Sequence, residues 1–195
     1  ADEIYDGLDF TNHHVSTASR SNTVPVFTLN GVSKVYYAPG WRIGYMALHD
    51  PLQRMDAVRD AIERLLRSRL CASTPAQMGY HSGLVESRDW MKAYSEKVIA
   101  QRDLCLKRIS EIDGLEVEAP GGAFYMFVRL TDPHWAVDDK QFVLDLLHQE
   151  HVLVVHGSGF SEEMGKGHFR LVYLANEDVL NEAFDRMDRF LSNSR

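Results

Sequence analysis

Apolar residues recur with two different periods, which divide the chain into predicted strands and helices. Residues 24 to 29 are rich in β-branched and aromatic side chains and predict a buried strand, and residues 42 to 48 predict a second strand. Asn30-Gly31 breaks the first run, so that Ser33-Lys34 falls in a loop just past the end of that strand.

Helical spacing follows from residue 50 onward. Asp50-Pro51 and Thr74-Pro75 each place a capping side chain before a proline, and they predict one helix that begins at Pro51 and a second from 74 to about 85. The first helix rests on the spacing of Met55, Ile62, Leu65, Leu66 and Leu70. A long third helix is predicted from about Arg88 to Ile112, where Asp113-Gly114 ends it.

Strands alternate with helices from about residue 113 onward, which favours a small α/β domain. The predicted strands are 115–119, 123–130, 152–155 and 168–174, and the predicted helices are 141–150 and a final helix that Asn176 caps.

Composition excludes several classes of protein. Hydrophobic residues make up 45% of the 195 residues, and the net charge is −7 with both signs mixed, which argues against a nucleic-acid surface. No apolar run approaches the ~20 residues that span a bilayer. Cys71 and Cys105 lie far apart, and we expect both to be buried, reduced thiols of a cytoplasmic protein. His148 and His151 lack a third ligand, so no metal site is predicted.

Candidate chemistry centres on Lys34. A lysine that attacks a carbonyl and a nearby arginine, Arg42, that holds a phosphate are what a pyridoxal 5'-phosphate (PLP) site needs. Taken alone, a Ser-Lys pair after a strand is more often solvated surface. The functional interpretation is favoured because residues far away in the chain fit the same kind of site.

The segment from Asn30 to Tyr45, NGVSKVYYAPGWRIGY, resembles the cofactor-lysine segment of fold-type-I PLP enzymes, the class I/II aminotransferases. The resemblance extends from Asp2-Glu3-Ile4-Tyr5 to Phe169-Arg170-Leu171-Val172, yet it covers only the C-terminal half of such an enzyme. Within the family, Asn30 to Lys34 and residues 69–77 and 155–160 most resemble the alanine aminotransferase branch.

The resemblance implies a PLP-dependent transferase-like fold (type I) of the α/β class. Residues 1–87 would form the C-terminal portion of the large-domain mixed sheet, residues 88–112 the long interdomain helix, and residues 113–195 the small C-terminal α/β domain. The absence of a strand before Asp2 leads us to expect a fragment cut at a strand's end.

Five residues receive roles from the resemblance. Lys34 would bind the cofactor covalently and then move the substrate proton, which requires an unprotonated amine near neutral pH. Asp2 would face the ring nitrogen, Tyr5 the ring hydroxyl and Arg42 the phosphate. Arg170 would bind the α-carboxylate of the substrate, although a structural ion pair would also explain an arginine within an apolar strand.

One position departs from the family pattern. Many relatives carry Ser or Thr as a phosphate ligand three residues before the lysine, and Gly31 stands there in this chain. Ser33 is the candidate substitute among the cofactor-binding residues.

The resemblance implies a homodimeric aminotransferase that exchanges the amino group of alanine with 2-oxoglutarate. Another PLP reaction on the same scaffold, such as that of a C–S lyase or of an aromatic or branched-chain aminotransferase, remains open. So does a non-catalytic, aminotransferase-like regulatory module. We expect this chain alone to be inactive, with Asp2 and Arg42 exposed.

Overall fold

A computed structural model describes residues 1–87 and 89–193. Its contacts divide the chain into two compact units, Ala1–Ala93 and Tyr94–Arg195. None of the helices in these described ranges is long and apolar enough to cross a membrane.

A small mixed sheet forms the frame of the first unit. Strand β1, Val26–Gly31, pairs antiparallel with β2, Gly44–His49, and Asp2 forms a parallel bridge with Leu29 of β1. Both strands begin two residues later than the sequence predicts. At β1, Pro25 precedes the strand and has no N–H to donate to a ladder, and at β2, Arg42 has a left-handed backbone that cannot extend a strand.

The two helices after β2 differ in how well the sequence predicts them. Helix α2, Thr74–Val85, has the predicted bounds, whereas α1, Asp56–Arg69, begins five residues after Pro51. The carboxylate of Asp50 accepts a hydrogen bond from the Met55 N–H at 2.7 Å, so it closes a turn ahead of the helix rather than capping it. None of the residues of α1 is buried, and Leu65 and Leu66 are exposed.

Helix α3, Trp90–Ser110, contains the boundary between the units. The predicted start at Arg88 lies outside the described residues. One face of the helix is buried through Tyr94, Val98, Cys105 and Ile109, whereas Trp90 is exposed. Gly114, with a positive φ of 100°, follows the helix, in agreement with the predicted stop.

The second unit contains a four-stranded antiparallel sheet in the order β3-β4-β6-β5. Its strands are Leu115–Val117 (β3), Tyr125–Leu130 (β4), Val155–His156 (β5) and His168–Val172 (β6). Its further helices are Pro133–Ala136 (α4), which the sequence did not predict, Asp139–Glu150 (α5) and Glu177–Asn193 (α6). The predicted strand 152–155 is wrong except at its last residue, because Val152 and Val154 are buried without joining a ladder.

Alternation along β4 and β6 gives the sheet two unlike faces. Met126, Val128, Phe169 and Leu171 are buried in a core where the rings of Phe142 and Phe169 lie 5.3 Å apart between centroids. The intervening residues of both strands, which include Phe127 and Arg170, point to the opposite face.

The two cysteines have different environments. Both are free thiols, but Cys71 is exposed, which corrects the expectation that both are buried. Cys105 is buried in the second unit, and its burial raises the pKa of the thiol to about 12 because the thiolate would lose its hydration.

Candidate active site

Lys34 lies three residues beyond the end of β1, in a turn that spans residues 33 to 36. The turn is anchored on both sides because Val32 and Val35 are each only 2% exposed. These two buried valines fix the backbone of Ser33-Lys34, while both intervening residues remain partly accessible. The Nζ of Lys34 lies 5.8 Å from the centroid of the Tyr5 ring, so the structure brings these two predicted site residues together.

Asp2 lies beside the same strand. The N–H of Leu29 donates to the carbonyl of Ala1 at 2.8 Å, and the N–H of Glu3 donates to the carbonyl of Leu29 at 2.9 Å, which aligns the first residues parallel to β1. Asp2 is exposed, as expected, and its carboxylate accepts a hydrogen bond from the Ile4 N–H at 3.2 Å. The pairing places Asp2 near the end of β1 from which the Lys34 turn emerges.

Arg42 also lies at this end of the sheet, because it precedes Gly44, whose pairing partner is Gly31 at the end of β1. It is exposed, as expected, but it is not part of a strand. Arg42 follows a short 3-10 helix, Pro39–Trp41, with φ 51° and ψ 43°, and its Nη1 donates to the carbonyl of Pro39 at 2.8 Å. A non-glycine residue in this region carries backbone strain, which is frequent at functional sites.

Aromatic side chains hold the turn that carries Lys34. Tyr36 donates from its hydroxyl to the carbonyl of Gly83 on α2 at 3.1 Å, and its ring lies 5.7 Å from that of Tyr80 and 5.8 Å from that of Trp90, between centroids. Tyr80 in turn belongs to a buried cluster with Val32 and Ile43. The turn is therefore attached to α2 rather than lying loose on the surface.

Gly31 explains the departure from the family pattern. A Cβ at this position would lie 2.8 Å from the carbonyl oxygen of Ile43 and 3.2 Å from the Cα of Gly44. Both neighbours are backbone atoms, so a side chain fits only if the strands move apart. The Ser or Thr that the family resemblance leads us to expect here is therefore incompatible with this strand pair as it stands, and the role of Ser33 in its place stays a prediction.

We expect Gly31→Ala to lower the free energy of unfolding by about 1–3 kcal/mol, the usual cost of overpacking. Gly40→Ala is the matched control, because a Cβ at Gly40 meets nothing within 4 Å, and we expect it to change stability by no more than about 0.5 kcal/mol. Chemical denaturation of both variants checks this. Equal stabilities would mean that β1 and β2 separate at little cost.

An open groove of about 370 Å³ lies next to Arg42 in the first unit. It is lined by residues that the sequence did not single out for chemistry, among them Arg69, Cys71 and Gln77. Arg69 comes from the last turn of α1 and adds a second guanidinium to the lining. Arg42 and Arg69 are thus both among the lining residues of one groove, and only the folded structure brings them together.

Arg170 lies in the second unit, at the middle of β6, where Phe127 of β4 and Val155 of β5 are its pairing partners. Its guanidinium carbon lies 4.6 Å from the centroid of the Tyr125 ring and 4.7 Å from that of Phe160. Among the ion pairs of residues 1–87 and 89–193 none involves Arg170, and its Nε is buried without a hydrogen-bond partner. No ion pair between described residues therefore accounts for an arginine within this apolar strand.

The residues of the first unit fit the cofactor that the resemblance implies. Four chemical groups lie at one end of a single sheet: the amine of Lys34, the phenol of Tyr5, the carboxylate of Asp2 and the exposed guanidinium of Arg42. A guanidinium suits a phosphate, a carboxylate suits a protonated ring nitrogen, and an amine suits an aldehyde. Within the described part of the chain, no group of three or more metal-binding side chains is present.

Comparisons with known proteins identify the family of the chain. Residues 1–187 match the family model described as aminotransferase class I and II. The chain therefore belongs to the class I and II aminotransferases, and it has the type I fold of PLP-dependent transferases that its sequence predicts.

Individual relatives are similar over the whole chain. The glutamate-pyruvate aminotransferase AlaA of Haemophilus influenzae is 36% identical over 100% of this chain and 49% of its own length. The solved alanine aminotransferase of Pyrococcus furiosus is 47% identical with a TM-score of 0.94, over 98% of this chain and 48% of that one. The tyrosine aminotransferase of Leishmania infantum is 28% identical with a TM-score of 0.85, over 98% and 47%. The chain thus spans about half the length of the relatives that it matches.

Proposed function

We propose that this chain supplies the cofactor lysine and the substrate arginine of a PLP-dependent aminotransferase that exchanges the amino group of alanine with 2-oxoglutarate. The observation that carries the proposal is the position of Lys34, in a fixed turn at the end of β1, 5.8 Å from the Tyr5 ring and at the same end of the sheet as Asp2 and Arg42. The activity is proposed for a protein of the relatives' length that contains this chain.

Each of the candidate residues has a task that its chemistry supports. Arg42, with Ser33 beside the lysine, would bind the phosphate, and Asp2 would keep the ring nitrogen protonated. Tyr5 would donate a hydrogen bond to the ring oxygen. A bound PLP supplies an electron sink for the charge that develops at the substrate Cα.

Proton transfer would be the task of Lys34. Its Nζ would accept the proton from the substrate Cα and return it to the cofactor side of the reacting group, and such a positioned base contributes about 10²–10⁴-fold to a rate. Arg170 would hold the α-carboxylate through the edge of its guanidinium, because two parallel N–H groups match the two carboxylate oxygens.

Alanine is the proposed substrate because relatives at 35%, 36% and 47% identity carry alanine or glutamate-pyruvate aminotransferase names. The tyrosine aminotransferase with the same fold favours an aromatic substrate as the second candidate. A C–S lyase, a branched-chain aminotransferase and a non-catalytic module are the remaining alternatives.

The finer organisation is also a proposal. We infer a large-domain portion at 1–87, an interdomain helix at 88–112 and a small domain at 113–195. The free cysteines support a reducing compartment such as the cytoplasm. The exposed leucines of α1, Leu65 and Leu66, support burial against another polypeptide surface, as in a homodimer.

A panel of amino donors assayed with 2-oxoglutarate on the full-length enzyme tests the proposal. We expect alanine to give the highest kcat/KM, with pyruvate and glutamate as products. Higher activity with tyrosine would support the aromatic candidate, and higher activity with leucine would support a branched-chain aminotransferase. Bound PLP without turnover of any donor would support the non-catalytic module.

A further inference from the structure

The guanidinium of Arg170 lies over two aromatic rings, those of Tyr125 and Phe160. Tyr125 lies on β4, and the centroid of its ring is 4.6 Å from the guanidinium carbon. Phe160 lies in the loop after β5, and the centroid of its ring is 4.7 Å from the same carbon. Cations attract ring faces in this distance range. Two rings thereby restrict how the side chain of Arg170 turns.

Phe160 is not held there by burial, since 52% of the residue is exposed. The backbone fixes it instead. Ser158 donates its N–H to the carboxylate of Asp139 at 2.7 Å, and the Asp139 residue is only 3% exposed. Gly159 donates to His156 Nδ1 at 3.1 Å, and Phe160 donates to the carbonyl of Gly157 at 2.8 Å.

Phe160 also contacts a neighbour on the sheet. Its ring is edge-to-face with Phe127 at 6.1 Å, and Phe127 stacks on His168 at 5.0 Å, both between centroids. A row of rings therefore continues away from Arg170 and supports the orientation of Phe160. Truncating Phe160 would remove one ring contact of Arg170 without leaving a cavity in the core.

We propose that Tyr125 and Phe160 are positioning residues that hold the guanidinium of Arg170 so that its edge meets a planar carboxylate. This rests on the proposed function, in which Arg170 binds the α-carboxylate. The buried, unpartnered Nε agrees with it, because the side chain keeps its place without a hydrogen bond at Nε. Pre-ordering of this kind lowers the entropy that binding must otherwise offset.

A kinetic experiment on the full-length enzyme tests the proposal. We expect Phe160→Ala to raise KM for alanine roughly 5- to 30-fold, as the loss of one cation–ring contact implies, with kcat changed less than about twofold. Phe160→Tyr should restore the wild-type KM because it restores a ring face. Val137→Ala removes an exposed apolar side chain elsewhere in the second unit, and it should leave KM unchanged.

A double-mutant cycle separates positioning from an independent contact. In an Arg170→Ala background, Phe160→Ala should raise KM for alanine by less than about twofold, since no guanidinium remains to be positioned. An equal loss in both backgrounds would overturn the proposal, as would a normal KM for Phe160→Ala.

A measurement without turnover distinguishes failure of this inference from failure of the proposed function. In the enzyme labelled with ¹⁵N-arginine, the Nε–H signal of Arg170, assigned by its loss in Arg170→Lys, should be shifted to lower ppm by the two rings. Phe160→Ala should reduce that shift and weaken the response of the signal to sodium acetate. An unchanged signal and an unchanged acetate response would overturn the inference even in an active enzyme, and the expected changes would support it even if no amino group were transferred.

Discussion

Replacing Lys34 with alanine should lower the rate of amino-group transfer at least about 10²–10⁴-fold, since the variant lacks the base proposed to move the substrate proton. The loss should appear in kcat at saturating alanine and 2-oxoglutarate. Lys34→Arg should be equally inactive because a guanidinium keeps the charge but is a poor nucleophile and a poor base. Lys140→Ala, at an exposed position of α5, is the control and should keep wild-type activity.

A mapping experiment makes the same prediction without relying on rates. Borohydride reduction of the PLP-bound full-length enzyme should leave the cofactor mass on the peptide that contains Lys34. The mass on any other lysine would remove Lys34 from the site, and the role of the turn after β1 would then need another explanation.

Replacing Arg170 with alanine should lower kcat/KM for every amino-acid substrate by roughly 30- to 5,000-fold, the equivalent of about 2–5 kcal/mol for a lost buried charge pair. The loss should be similar for alanine and for larger donors, because all of them carry the same α-carboxylate. Bound cofactor, followed by its absorbance, should be unaffected.

Arg129→Ala is the matched control for this change. Arg129 lies on β4 of the same sheet, but its exposed side chain pairs with Glu116, and exposed pairs contribute little. We expect kcat/KM to stay within about twofold of wild type. An Arg170→Ala enzyme with normal kcat/KM would make Arg170 a structural residue of the aromatic cluster.

Local signals explain what the sequence predicted well. Thr74-Pro75 defines the start of α2, and Asn176 precedes α6, because capping and proline preferences depend only on neighbouring residues. The position of Lys34 just after a strand follows from equally local information, the change from the apolar run to Asn30-Gly31.

Contacts between distant residues explain what the sequence missed. The start of α1 depends on a hydrogen bond from Met55 to Asp50, which outcompetes a helix beginning at Pro51. The unpaired Val152 and Val154 look like a strand because burial alone selects for valine. No period in the sequence relates Phe160, in a loop, to Tyr125 on β4, so their shared contact with Arg170 emerged only from the fold.

The left-handed backbone at Arg42 favours glycine for stability, whereas the proposed phosphate contact needs an arginine side chain at the same position. Glycine adopts φ 51° at little cost, whereas a side chain with a Cβ costs roughly 1–2 kcal/mol there. A laboratory selection for heat resistance alone would therefore enrich glycine at position 42 and discard the guanidinium. Retention of arginine under such a selection would indicate that the phosphate contact proposed for Arg42 compensates for the strained backbone.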